Sequence, residues 1–141
     1  MNGGPLAVDT SALLAVLFAE EDARIYAQAL ESAVGLGMTA PNWVESMQVV
    51  TARRGDLGRA GLDELVTGLE VEIVPCDAAM ARLAYEARLR FGKGRHPAGL
   101  NFGDCFSYAL AKQRGVPLLF KGNDFARTDL TAARSAGIGP T

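Results

Sequence analysis

A chain of 141 residues, 49% hydrophobic and 21% charged, can build one domain around a real core without a disulfide or structural metal to hold it. No apolar run approaches the ~20 residues that span a bilayer, and Met1-Asn2-Gly3-Gly4-Pro5 has no basic start ahead of an apolar stretch, so neither a membrane span nor a secretory leader is expected and the chain is assigned to the cytoplasm. The net charge of −2 hides an asymmetry, four Arg against eleven acids in residues 1–72 and ten Lys and Arg against five acids in residues 73–141, so that the second half can face a polyanion unless folding interleaves the two.

Leu6-Ala7-Val8 is a short apolar run that ends at Asp9. Thr10 or Ser11 then caps a helix through residues 12–18, because a hydroxyl takes an orphan backbone N–H. Asp22 opens a second helix with Ile25, Ala29 and Ala33 along one stripe and Tyr26 and Leu30 beside it. Residues 36–40 read as a short strand closed by Pro41. Asn42 starts a third helix on which Val44, Met47 and Val50 recur at helical spacing, and a fourth helical segment covers about 62–69. Residues 71–74 alternate as a strand does. Asp77 caps a helix whose Met80, Leu83, Ala84 and Ala87 share a face, and a Gly- and Pro-rich loop over 92–99 follows. The next helix runs from around Asp104 to Arg114 and stops at Gly115, which suits a left-handed C-terminal cap. Residues 116–120 form the last strand. Strands alternating with helices give an α/β fold with a mostly parallel sheet covered on both faces. Cys76 and Cys105 stand far apart and outside any CxxC spacing, and read as reduced thiols.

Such sheets bind ligands beyond the carboxyl ends of their strands. Asp9 follows the first strand directly, and Asp124 follows the last one after the turn Gly122-Asn123. Glu45 and Asp104 sit in the first turns of helices, so all four acids can converge on one edge. Clustered carboxylates raise one another's pKa, a cost that a bound cation removes. Mg²⁺ or Mn²⁺ prefers such hard oxygen donors, and it can polarise a phosphoryl oxygen and activate water. Other chemistries lack their residues. A single histidine, His96, excludes a two-imidazole mechanism; no phosphate-cradling P-loop is present; Asp9-Thr10-Ser11 lacks the second Asp of an aspartyl-phosphate phosphatase; one His and two scattered Cys make no zinc set. Each acid also has an ordinary structural use. Asp9 and Asp104 suit the positive end of a helix dipole, Glu45 stands three residues after Asn42 as in a capping box, and Asp124 fits turn chemistry. On residue types alone both readings stay open.

Four blocks bear on the choice. Ala7-Val8-Asp9-Thr10-Ser11-Ala12-Leu13, Ala40-Pro41-Asn42-Trp43-Val44-Glu45, Leu100-Asn101-Phe102-Gly103-Asp104-Cys105-Phe106-Ser107-Tyr108-Ala109 and the stretch from Leu119 to Leu130 around Gly122-Asn123-Asp124 resemble, in order, the four acidic motifs of VapC-type PIN domains. These are the toxin halves of bacterial and archaeal toxin–antitoxin pairs. The resemblance spans nearly the whole chain and implies one PIN domain over 1–141, a three-layer α/β/α sandwich. It implies a catalytic, metal-binding quartet of Asp9, Glu45, Asp104 and Asp124, with Glu45 joining directly or through water. Thr10, Ser11, Asn123 and Asp129 are the outer-shell candidates. It further implies a Mg²⁺- or Mn²⁺-dependent endoribonuclease that cuts tRNA or a structured ribosomal RNA loop, a toxin homodimer, and a VapB-type antitoxin. The helices over 22–32 and 42–69 would form the walls of the antitoxin groove. Lys93, Arg95 and His96, in the loop before the Asp104 block, are the candidate contacts to the RNA backbone. The competing readings are a PIN-fold nuclease of RNA maturation without an antitoxin, a non-catalytic PIN-like interaction module, and a phosphoacceptor domain with its Asp at a strand end.

Overall fold

Four short strands, β1 (Leu6–Val8), β2 (Leu36–Thr39), β3 (Glu72–Val74) and β4 (Leu118–Leu119), pair in parallel in the order β3-β2-β1-β4. The computed structural model describes residues 3–133. Successive strand residues point to opposite faces. Val8, Met38 and Leu119 pack on one side against α1 (Thr10–Leu17), α2 (Ala23–Ser32) and α3 (Ala40–Gly68). Ala7, Val74 and Leu118 pack on the other against α4 (Ala78–Phe91) and α5 (Phe102–Arg114). Both faces are covered, so β1, β2 and β4 are short, largely buried stretches while the edge strand β3 exposes Glu72, and the result is a three-layer α/β/α sandwich. Leu13, Leu30 and Leu62 in one layer and Leu110 in the other are fully buried, and truncating any of them to Ala would cost about 2–5 kcal/mol.

Several boundaries differ from the sequence expectation, each for a local reason. Asp9, not Thr10 or Ser11, caps α1: its backbone is extended (φ −83°, ψ 153°) and its carboxylate accepts the Ser11 N–H. In α2 the buried stripe is Tyr26, Ala29 and Leu30. The third helix begins at Ala40, with Thr39 as its cap, so Pro41 sits in the first turn, where a missing N–H costs nothing. The expected third and fourth helices form one span broken at Gly55, whose φ of 61° and ψ of −146° only glycine adopts freely. Its inward face is Asn42, Ser46 and Val50, while Val44 is 49% exposed. Helix α5 starts at Phe102 under an Asn101 cap and ends at Gly115 with φ 63°, as expected. Asp77 caps α4 through the Met80 N–H, also as expected.

From β1 the chain steps to β2 and then β3 on one flank, and β4 returns to the other flank of β1. Strand order therefore reverses between β1 and β4, and in open parallel sheets that is where a crevice opens beyond the carboxyl ends. Asp9 leaves β1 and the Asp124 turn follows β4 at this point. No helix among the described residues is long and apolar enough to cross a membrane.

Candidate active site

Asp9 is the most enclosed of the four acids, 5% exposed. Its Oδ2 accepts the Ser11 N–H at 3.0 Å and the Ser11 hydroxyl at 2.6 Å, and its Oδ1 accepts the Ser107 hydroxyl at 2.5 Å. Ser11 is held in turn by the Lys121 N–H, 2.9 Å from its oxygen, which ties the end of β1 to the segment after β4. Burial pushes the Asp9 carboxyl above the usual carboxylate range; the hydrogen bonds from Ser107 and Ser11 oppose this, and the charge of Glu45 adds to it.

Glu45 stands in the second turn of α3, one turn past the position expected of it. It takes no part in capping, since Thr39 accepts the Asn42 N–H. Its Oε1 instead accepts the Thr10 hydroxyl at 2.7 Å and the Asn42 amide at 3.3 Å. Its carboxyl group also lies on the first turn of α5: a Cβ added at Gly103 would meet Glu45 Cδ at 2.8 Å. A side chain at position 103 would therefore displace the Glu45 carboxylate.

Asp104 does have the structural use that its position offers. Asn101 Oδ1 accepts the Asp104 N–H at 2.9 Å and Asp104 Oδ2 accepts the Asn101 N–H at 3.0 Å, a reciprocal capping box. Capping engages one carboxylate oxygen. Burial pushes Asp104 up to about 8; the Asn101 N–H works against this, while the charge of Asp9 and a hydrogen bond shared with Asp124 push it higher. Asp124 is exposed and opens a 3-10 turn, Asp124–Arg127. An electrostatic chain thus runs from Glu45 to Asp9, from Asp9 to Asp104, and from Asp104 to Asp124.

Among the described residues no ion pair reaches any of these four acids. Nor, among those residues, do three Asp, Glu, His or Cys side chains lie close enough, as arranged, to hold a metal ion together. The carboxylates are instead linked in pairs, with Asp104 and Asp124 near enough to share a hydrogen bond.

The other candidates are distributed unevenly. Thr10 and Ser11 contact the acids directly, as above. Asn123 is exposed and offers its main-chain carbonyl to the Ala126 N–H. Asp129 is engaged elsewhere: it accepts the Tyr108 hydroxyl at 2.6 Å, and lies 3.1 Å from Lys112 Nζ and 3.6 Å from Arg90 Nη1. Lys93 and Arg95 are exposed, but His96 turns inward, its Nδ1 accepting the Ala98 N–H at 3.0 Å and its ring edge-on to Phe91. Sequence reasoning missed Asn42, Ser46, Ser107 and Gly103. Helical spacing from the acids was a signal for two of them, since Ser107 follows Asp104 by three residues and Asn42 precedes Glu45 by three; Ser46 and Gly103 carried none.

Residues 6–130 match the PIN domain family. Ribonuclease VapC28 of Mycobacterium tuberculosis is 46% identical over 127 residues, covering 89% of this chain and 96% of the relative. Ribonuclease VapC of Mycolicibacterium smegmatis is 45% identical over 127 residues, covering 90% and 98%. Among solved structures, VapC20 of M. tuberculosis, a sarcin–ricin loop cleaving toxin, aligns with a TM-score of 0.76 at 17% identity over 92% of this chain and 99% of that one. VapBC2 of Rickettsia felis, solved on a fragment of its promoter DNA, aligns with a TM-score of 0.70 at 12% identity over 91% and 96%. The chain belongs to the PIN-domain family and is closely related to the VapC ribonuclease toxins of VapBC toxin–antitoxin systems.

Proposed function

We propose that this protein is a Mg²⁺- or Mn²⁺-dependent endoribonuclease toxin that hydrolyses phosphodiester bonds in tRNA or a structured ribosomal RNA loop, acts in the cytoplasm, and is silenced by a VapB-type antitoxin. The reading is supported by one observation: Glu45, Asp9, Asp104 and Asp124, from four distant stretches of chain, are electrostatic neighbours, each of the next, two of them with raised pKa, and no cationic side chain among the described residues pairs with any of them.

The donor chemistry fits a hard divalent cation. The four groups offer oxygen only, and Asp9, Glu45 and Asp104 keep polar neighbours that orient them without neutralising them. Asp9, Asp104 and Asp124 would hold the ion, with Glu45 joining directly or through water. Such an ion supplies Lewis acidity toward a phosphoryl oxygen and toward an attacking water. The protein's own residues do the rest. Ser11 and Ser107 fix the two oxygens of Asp9, and Thr10 fixes one oxygen of Glu45, so the carboxylates are oriented before RNA arrives. Lys93 and Arg95, exposed on the loop that leads into α5, are offered to backbone phosphates. His96, folded onto Phe91, serves that loop from within.

Two partners complete the proposal. Leu57 on α3 is 86% exposed, Val44 on the same helix 49%, and Val34 just after α2 73%. Apolar side chains left on those helices suit an antitoxin segment laid across them. The toxin itself is proposed to be a homodimer.

The test is direct. The purified chain is incubated with tRNA and with ribosomal RNA stem-loops in Mg²⁺ or Mn²⁺, then with excess EDTA, then with its antitoxin. Site-specific cleavage that EDTA and antitoxin each abolish is expected. Cleavage that persists undiminished in EDTA, or none with any of these RNAs, would overturn the proposal.

A further inference from the structure

The three-residue step from Asn42 to Glu45 has a use beyond helix geometry. Asn42 is completely buried, and its side-chain amide touches four groups on three elements. Nδ2 donates to the Gly103 carbonyl at 2.9 Å and to Glu45 Oε1 at 3.3 Å. Oδ1 accepts the Thr39 hydroxyl at 2.5 Å and lies 3.2 Å from the Ser107 hydroxyl, whose proton goes to Asp9 at the shorter distance. The two acceptor partners lie on the nitrogen side and the two hydroxyls on the oxygen side, so the amide has one sensible orientation. No other polar side chain of similar length offers two donors and an acceptor in that plane; a carboxylate would lose both donors and repel Glu45.

Resting on the nuclease reading above, we propose that Asn42 is a positioning residue that clamps the Glu45 helix to the first turn of α5. The clamp fixes how far the Glu45 carboxylate stands from Asp9 and Asp104. Gly103 is its second jaw. The Asn42 amide holds the Gly103 carbonyl, and the missing Cβ of Gly103 leaves the space that the Glu45 carboxylate occupies. Glu45 is thus held by hydrogen-bond donors, Asn42 and Thr10, and seated on a backbone surface where any side chain would displace it. The acid that completes the site is set by the contact between α3 and α5, not by its own helix alone.

The test is a double-mutant cycle read on Mn²⁺ affinity, with free Mn²⁺ followed by its paramagnetic resonance signal, and repeated on RNA cleavage. Asn42→Ala is expected to weaken Mn²⁺ binding about tenfold to a hundredfold, as loss of a carboxylate's orienting partner does. In a Glu45→Ala background the same change is expected to add almost nothing, because its effect passes through Glu45. Gly103→Ala keeps the Asn42 hydrogen bonds and crowds Glu45 from the other side, so it is expected to give a similar loss and serves as the probe should Asn42→Ala not fold. Folded Asn42→Ala or Gly103→Ala proteins with wild-type Mn²⁺ affinity, or losses that multiply with that of Glu45→Ala, overturn the clamp and leave the metal reading standing. A wild-type protein that binds no Mn²⁺ overturns the metal reading, and the clamp with it.

Discussion

Glu72, Asp129 and the pair Glu20 and Asp22 each lie against cations, whereas Asp9, Glu45, Asp104 and Asp124 lie against hydroxyls, amides and one another. Glu72 meets Arg114 at 3.0 and 3.1 Å, Asp129 meets Lys112 and Arg90, and Glu20 and Asp22 share Lys121 Nζ at 2.6 and 2.9 Å. The consequence is opposite in sign. The Arg114 hydrogen bonds hold Glu72 below the usual range, and Asp129 is held low although burial works against it, by Tyr108, Lys112 and Arg90. Asp9 and Asp104 are raised. Lys121 makes the contrast sharpest: its backbone N–H supports Ser11 beside Asp9, yet its ammonium group turns to Glu20 and Asp22. The other acids without a cationic partner among the described residues, Glu21, Glu31, Asp56, Glu64, Glu70, Asp77 and Glu86, are exposed, whereas Asp9 and Asp104 are buried without one, which is a cost to stability retained for a reason.

The largest effect should come from removing one bare charge. Asp104→Asn is expected to cut RNA cleavage about a thousandfold, a loss of about 4 kcal/mol of transition-state stabilisation. The metal-free protein should become more stable at neutral pH, since the buried carboxyl no longer has to take up a proton on folding while an amide oxygen can still cap α5. Thermal unfolding in EDTA beside a single-turnover cleavage assay reads both. A variant that loses activity and also unfolds earlier would mean that Asp104 serves the capping box alone.

The pH dependence of stability should separate the two groups next. Asp104 in the folded state sits at about 8, far above the unfolded value, so between about pH 4 and 8 the folded chain holds a proton that the unfolded chain has released. Stability from this group is full below pH 4 and lost as pH rises through 8, and Asp9 pulls in the same direction. Glu72 and Asp129 act oppositely: their contribution is present at neutral pH and lost as pH falls through the acid range. In EDTA the melting temperature should therefore fall between pH 5 and 8, by about 2–4 °C for each kcal/mol lost. Mn²⁺ should restore it, and most at pH 8. A flat profile that Mn²⁺ leaves flat would remove the distinction between the two groups of acids.

The four acids each sit beside a chain feature that sequence shows, the end of an apolar strand, a helix start or a turn, but it was the likeness of their flanks to the VapC-type motifs that joined them into one candidate site. Their supports were not legible. Asn42 and Ser46 are polar residues at inward positions of α3, where apolar periodicity pointed instead to Val44, which turned out exposed. A polar residue buried for its hydrogen bonds looks, in sequence, like a solvated one. The break at Gly55 was equally hidden, because Arg53, Arg54 and Asp56 around it are polar and exposed and leave no change of period to read. Asp129 was grouped with the site by nearness to Asp124 in sequence; its partners Tyr108 and Arg90 come from α5 and α4, and only packing brings them to it. Strands of two to four residues were still found, β1, β2 and β4 as short apolar stretches covered on both faces and β3 by the alternation of residues 71–74.

Positive charge is the counterpart of the bare acids, and its removal should have a middling effect. Among the described residues Lys93 and Arg95 form no ion pair, so their charge remains available to phosphates. Lys93→Ala with Arg95→Ala is expected to weaken RNA binding roughly tenfold at moderate salt and to lower the slope of log affinity against log salt by about one to two, with melting temperature unchanged. An unaltered slope across a salt series would take this loop out of the RNA interface.

The smallest effect should fall on a paired acid. Glu72 on the edge strand β3 meets Arg114 from the end of α5, with side chains 57% and 38% exposed, so water and salt already screen them. Glu72→Gln keeps one hydrogen-bond acceptor and removes only the charge. The expected loss is about 0.5 kcal/mol or less, shrinking further in high salt, with RNA cleavage at the wild-type rate. The comparison depends on that null result as much as on the thousandfold one. Neutralising a carboxylate that has a cation should change stability slightly and chemistry not at all, while neutralising one that lacks a cation should do the reverse. If Glu72→Gln slowed cleavage tenfold, the charge of β3 would be acting on the crevice through the sheet, and the four bare acids could no longer be treated as a separate electrostatic unit.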